Sequence, residues 1–162
     1  MHNTRRQAII GGLLLAGGVS APGWSATSPK ALAEQFAARL SAHDIAGFAA
    51  LFADDYVNHQ TSAAAPAVAG IVPKQATLAF FKARLTGLPD LTVIIETLVA
   101  ADDKVAASFA YSGTHLGTYL GIAPTGRALR FTSCDIFRVQ SGRIAEHWGM
   151  GDLAGILAQL KS

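Results

Sequence analysis

Cysteine is nearly absent. Cys134 is the single example in 162 residues, which excludes an internal disulfide framework and a cysteine-rich zinc site. Charge is scarce as well. Asp, Glu, Lys and Arg make up 15% of the chain and hydrophobic residues 51%, a balance that argues against disorder. Neither sign dominates: thirteen Lys and Arg face eleven Asp and Glu, and setting aside Arg5 and Arg6 leaves eleven of each. A neutral body offers no electrostatic footprint for nucleic acid. No G-x-x-x-x-G-K-[ST] follows a strand pattern, so Gly117, Gly121 and Gly126 do not make a phosphate loop. No H-x-H or H-x-x-x-H pair sets two metal ligands on one face, which disfavours convergence of His59, His115, His147, Asp135 and Asp152 on a metal. No metal and no cofactor is expected. No repeat divides the chain, and its length suits one domain with a full core.

Acid is missing from the N-terminal stretch, where none precedes Glu34. Arg5 and Arg6 are followed by Ala8 to Val19, which is apolar and rich in glycine. That run is well below the ~20 apolar residues of a membrane span. Residues 1–26 therefore read as a signal peptide, and the arginine pair resembles a twin-arginine signal. Cleavage is expected after Ala26 or near Ser20-Ala21. The mature domain, residues 27–162, is then exported to the periplasm or secreted, with no stable membrane insertion after processing.

What is present is patterned. Ser28-Pro29 is a helix start, and Leu32, Phe36, Ala37 and Leu40 continue it at helical spacing over residues 29–42. Asp44 caps a short second helix carrying Ile45, Phe48, Leu51 and Phe52. The stretch Asp54 to Gln60 is expected to end this hairpin, with Asn58 and His59 either turn residues or pocket groups at a rim. Ala63 to Ala69 reads as loop. Pro73 opens a third helix, stopped by Gly87-Leu88-Pro89-Asp90. Then the pattern changes to strands: Leu91–Val99, Lys104–Ser112, Leu129–Val139 and Arg143–Trp148, with a last helix capped by Asp152. The order predicts an α+β fold, a curved, cone-shaped antiparallel sheet with the N-terminal helices over its concave face. Such a sheet makes a ready ligand cavity.

The third strand carries an anomaly. Phe131, Ser133, Asp135 and Phe137 point one way and Thr132, Cys134, Ile136 and Arg138 the other. A carboxylate among these apolar residues must be paired, exposed, or held for chemistry. A two-residue Ser141-Gly142 turn would set Trp148 opposite Asp135; a three-residue bulged loop would set His147 there. Cys134 is expected to be an inert buried thiol, and Arg127 a solvated turn residue.

Several short motifs then fall in order: Tyr56-Val57-Asn58-His59, Leu88-Pro89-Asp90-Leu91, Gly113-Thr114-His115-Leu116-Gly117, Gly121 to Arg127, Asp135-Ile136-Phe137-Arg138, and Gly142 to Trp148 with Asp152. Together they resemble the SnoaL-like polyketide cyclase, or ester cyclase, family over roughly residues 30–160. The resemblance implies the cone-shaped fold shared with ketosteroid isomerase, scytalone dehydratase and nuclear transport factor 2. It also implies ring closure by intramolecular aldol condensation of a polyketide ester without metal or cofactor. An aspartate general acid/base matches Asp135 by motif position, assisted by histidines and an asparagine of the pocket. The candidates are thus Asp135, His115 and His147 for catalysis, and Asn58, His59, Tyr119 and Trp148 for substrate binding. The expected partner is a small carbonyl or ester compound. A non-catalytic small-molecule binding module of the same fold is the alternative, with Asp135 tied up in a structural bond. Exposed apolar residues on the convex sheet face would favour a homodimer.

Overall fold

A computed structural model describes residues 27–60 and 69–162. The signal-peptide reading and most of the Ala63–Ala69 loop reading fall outside the described residues.

The helices begin where local chemistry says they should. Helix α1 (Pro29–Ser41) has proline in its first turn, and the Ser28 hydroxyl accepts from the Ala31 N–H at 3.2 Å. Helix α2 (Ile45–Ala50) is capped by Asp44, whose Oδ1 accepts from the Gly47 N–H at 2.8 Å. The next stretch departs from expectation. Phe52–Asn58 is a strand, β1, not the end of a helical hairpin. Phe52 and Tyr56 point into the core while Asp54 and Asp55 face solvent, and charge on an edge strand discourages pairing with another chain. Helix α3 (Pro73–Gly87) follows, then β2 (Thr92–Ala101), β3 (Lys104–Thr114), β4 (Ala128–Gln140), β5 (Arg143–Gly151) and helix α4 (Leu153–Lys161). Asp152 caps α4 through the Gly155 N–H at 2.8 Å.

Strands β2 to β5 form the antiparallel meander that the alternation predicts. The sheet order is β1-β5-β4-β3-β2, and the added edge strand β1 runs parallel to β5, so the sheet is mixed. The helices cover one face. Phe36 of α1 sits at the centre of the core, with ring centroids 5.0 Å from Phe48, 5.4 Å from Phe81, and 5.1 Å from both Phe109 and Phe137. One residue thus joins α1, α2, α3, β3 and β4. The opposite face of the sheet carries Cys134, which is exposed rather than buried. Its neighbours Ser133 and Asp135 face the helices, and alternation then forces Cys134 outward. Arg127 is not merely solvated: its Nη1 donates to the Leu160 carbonyl at 2.8 Å, at the C-terminal end of α4.

Candidate active site

The site depends on one extra residue in β5. The β4–β5 turn is a two-residue one, with Ser141 and Gly142 both at positive φ (51° and 74°), as a type I′ hairpin requires. Gln140 pairs with Arg143 and Val139 with Ile144. The register then shifts, so that Arg138 pairs with Glu146 and Ala145 is the bulged residue. Past the bulge Phe137 lies opposite His147, Ile136 opposite Trp148 and Asp135 opposite Gly149. Neither expected register holds. A regular hairpin would keep Trp148 on the inner face with Ile144; the bulge turns His147 inward and Trp148 outward.

His147 consequently reaches diagonally across to Asp135. Its Nε2 lies 2.8 Å from Asp135 Oδ1, and both side chains are buried, at 4% and 7% exposure. Tyr56 of β1 stands behind the imidazole, its hydroxyl 3.0 Å from Nδ1. Burial pushes the Tyr56 phenol above its ordinary pKa, partly offset by the Thr77 hydrogen bond and reinforced by the Asp135 charge. The phenol therefore keeps its proton and donates it to Nδ1. Nε2 then carries the imidazole proton and donates to the carboxylate. On the other side, Ser133 Oγ donates to Asp135 Oδ2 at 2.5 Å, the short distance of a charge-assisted bond. Tyr111 OH lies 3.3 Å from Ser133 Oγ. The Ser133 hydroxyl thus sits between Tyr111 OH and Asp135 Oδ2, and its shorter contact is the one to the carboxylate. Asn58 extends the chain outward: its Nδ2 donates to Thr77 Oγ1 at 3.4 Å, and Thr77 Oγ1 lies 3.5 Å from Tyr56 OH. Each link from Asn58 through Thr77, Tyr56 and His147 points its proton toward Asp135. Both histidine nitrogens are committed, whereas each Asp135 oxygen retains a lone pair.

Asp135, Ser133, His147 and Tyr111 open onto a cavity of about 40 Å³, walled by Phe80, Phe81 and Arg84 of α3 and by Leu153 and Ile156 of α4. Tyr119 and Leu120 close one side from the connection between β3 and β4. The connection is held tightly to the end of α3: the Leu116 and Gly117 N–H groups both donate to the Gly87 carbonyl at 3.0 Å. A Cβ on Gly117 would stand 2.2 Å from the Thr86 carbonyl oxygen, and one on Gly87 2.6 Å from Tyr119 Cβ. Glycine at both positions lets Tyr119 come close enough for its hydroxyl to accept from Arg84 Nε at 3.1 Å.

Of the residues singled out from sequence, the structure brings together Asp135, His147 and Tyr119. Asn58 touches the hydrogen-bond chain but does not line the pocket. His59 and Trp148 lie on the outer face, their rings stacked at 4.4 Å, with His59 Nε2 2.7 Å from Glu146 Oε2. Neither lines the pocket beside Asp135. His115 is fully buried but outside the pocket lining; its Nδ1 accepts from the Thr125 N–H at 3.2 Å and tethers the β3–β4 connection. Sequence reasoning missed Tyr56, Tyr111 and Arg84. The signal for Arg84 was its spacing: four residues after Phe80 and three after Phe81, on the apolar stripe of α3. Among the described residues, no three His, Cys, Asp or Glu side chains come together as a metal site.

A hydrogen-bonded aspartate–histidine pair at the floor of an aromatic pocket, between a curved sheet and its helices, defines a small-molecule pocket protein of the α+β cone class. The chain belongs to the SnoaL-like polyketide cyclase family, whose profile matches residues 30–160. Among solved structures it is similar to wild-type IdmH of Streptomyces antibioticus, a proposed polyketide cyclase, at 29% identity and a TM-score of 0.70 over 83% of this chain and 99% of that one. AclR of Streptomyces galilaeus, a proposed hydroxylase, superposes with a TM-score of 0.71 at 23% identity, covering 82% of this chain and 80% of that one. A proposed SnoaL-like polyketide cyclase from Jannaschia sp. CCS1 gives a TM-score of 0.70 at 16% identity, over 88% and 98%. The last two likenesses speak for the fold. No curated protein gives a significant match.

Proposed function

We propose that the protein is a cofactor-independent cyclase, isomerase or lyase that removes a proton from the carbon next to a carbonyl, with Asp135 as general base. One observation carries this reading: Asp135 is the member of the hydrogen-bond chain that faces the pocket with lone pairs to spare. Asp135 takes the α-proton, and the C–H electron pair passes into the enolate. Where a second carbonyl of the same molecule lies in reach, the enolate carbon attacks it and closes a ring. The new alkoxide then recovers its proton from the Asp135 carboxylic acid. His147 is a positioning residue: it fixes one carboxylate oxygen and, through Tyr56, its own tautomer. The Tyr119 hydroxyl accepts from Arg84, so its own proton is free for a developing enolate oxygen.

A second reading has an observation behind it. Both oxygens of Asp135 already have protein donors, as a structural carboxylate in a binding module would. Mass spectrometry of mature protein purified gently from its host, first native and then denatured, identifies a retained ligand. On that ligand, an enzyme loses turnover in Asp135→Asn with stability nearly unchanged; a binding module changes affinity or folding alone.

Export completes the proposal. The Arg5-Arg6 pair and the apolar stretch behind it support a twin-arginine route. Replacing both arginines by lysine should leave the full-length chain in the cytoplasm. Ile94, Ile136 and Met150 are exposed on the outer face of the sheet and support self-association of two copies there, which light scattering of the Ile136→Lys variant tests.

A further inference from the structure

We propose that the pocket takes a ligand bearing a carboxylate, and that Arg84 is the residue that binds it. The inference rests on reading this cavity as the substrate site and names the class of molecule that enters it. Arg84 is 7% exposed, and cations this buried are normally paired. Its guanidinium carbon lies 4.7 Å from the centroid of Phe80, 5.2 Å from Phe81, 4.9 Å from Tyr111 and 5.0 Å from Phe131. Two of these rings come from its own helix. The other two, Tyr111 and Phe131, are opposite one another on β3 and β4 and stack at 4.9 Å. Its Nε donates to the Tyr119 hydroxyl at 3.1 Å, and the guanidinium also bears on the Tyr111 hydroxyl.

Among the described residues no carboxylate answers this charge. Arg84 takes part in none of the ion pairs of the described residues. Residues 1–26 and 61–68 contain no Asp or Glu. Asp135 lines the same pocket without forming an ion pair with Arg84; among the described residues its ionic partner is His147. Cation–π contacts offset part of the cost of burying the guanidinium; they do not use its N–H donors. A planar fork of donors facing a cavity matches a carboxylate, which can accept from two of them in parallel. The negative Asp135 repels the same group, so a bound ligand is oriented: carboxylate at Arg84, uncharged carbonyl portion toward Asp135. The aromatic walls favour a flat, unsaturated carbon skeleton.

The test is isothermal titration of the mature wild-type protein with phenylacetate and with phenylacetamide, which match in shape and differ in charge. Phenylacetate should bind at least about tenfold more tightly, the scale of a hydrogen bond to a charged group. Arg84→Gln should erase the difference, Arg84→Lys should keep part of it, and Asp135→Asn should keep or enlarge it. Equal affinities, no measurable binding of phenylacetate, or a preference that survives in a folded Arg84→Gln protein would each overturn the proposal. Should Arg84→Gln fail to fold, the wild-type comparison decides by itself. Retention of the preference in Asp135→Asn separates this inference from the catalytic one, because it stands even if Asp135 proves not to be a base.

Discussion

Gly149 lies directly across the β4–β5 ladder from Asp135, and the space its missing side chain leaves is where Asp135 and His147 meet. A Cβ at this position would stand 2.3 Å from Asp135 Oδ1 and 2.6 Å from His147 Nε2. Backbone conformation is not the reason for glycine here, since Gly149 is absent from the positive-φ glycines. The reason is the close approach of two polar side chains on neighbouring strands.

Gly149→Ala should therefore separate the pair while keeping the fold. In the wild type, the buried His147 Nε2–H bonded to a carboxylate should give a slowly exchanging, downfield imidazole proton in NMR spectra. The variant should lose that signal with its far-UV circular dichroism unchanged, and turnover should fall about a hundredfold, as a misplacement near 1 Å does. A retained downfield proton would show that the pair tolerates the methyl group.

Burial pushes the phenols of Tyr56 and Tyr111 above the ordinary tyrosine pKa, with the Asp135 charge adding to it; Thr77 at Tyr56 and Arg84 at Tyr111 oppose the shift. Both stay protonated in the folded chain at pH values where the unfolded chain has released these protons. The stabilisation is whole below the unfolded value of about 10 and is lost as pH rises through the folded values. Urea unfolding from pH 8 upward should show stability declining above about pH 10, by at most about 1.4 kcal/mol per pH unit for each tyrosine. Tyr56→Phe should make the decline shallower; an unchanged slope would remove Tyr56 as a contributor.

Phe36 meets aromatic rings from four other elements. Phe36→Ala should cost about 3–5 kcal/mol in chemical denaturation. A loss under about 1 kcal/mol would mean that the core collapses around the gap.

The exposed Cys134 thiol lies opposite Met150 on the face proposed for self-association, so in the dissociated Ile136→Lys protein it should react with one equivalent of a water-soluble disulfide reagent as fast as in the unfolded chain within about an order of magnitude, and more slowly in the associated wild type. Protection until unfolding would place the residue under a covering partner, which the homodimer reading could supply.

Much of this fold is written in short-range signals. Ser28, Asp44 and Asp152 announce helix starts because a cap acts on N–H groups within three residues of it. The strands from Thr92 onward alternate, so the inward position of Asp135 could be read directly. Strand β1 could not, because Asp54 and Asp55 interrupt its pattern and its parallel partner lies far along the chain. The choice between His147 and Trp148 turned on the bulge at Ala145, for which Ile144-Ala145-Glu146 gives no local cue. Arg84 sat on an apolar stripe, where a long side chain usually buries its stem and reaches water; only the four surrounding rings reveal that it does not.

The measurement that bears most directly on Asp135 as a base is exchange of α-hydrogens for deuterium, followed by NMR in D2O, on a panel of aryl-substituted 3-oxo esters and 3-oxo carboxylates. Wild-type protein should speed exchange of at least one of them about 10²–10⁴-fold over Asp135→Asn, the range for a positioned general base. Exchange no faster than buffer across the panel, or equal rates in the wild type and a folded Asp135→Asn protein, would contradict the account.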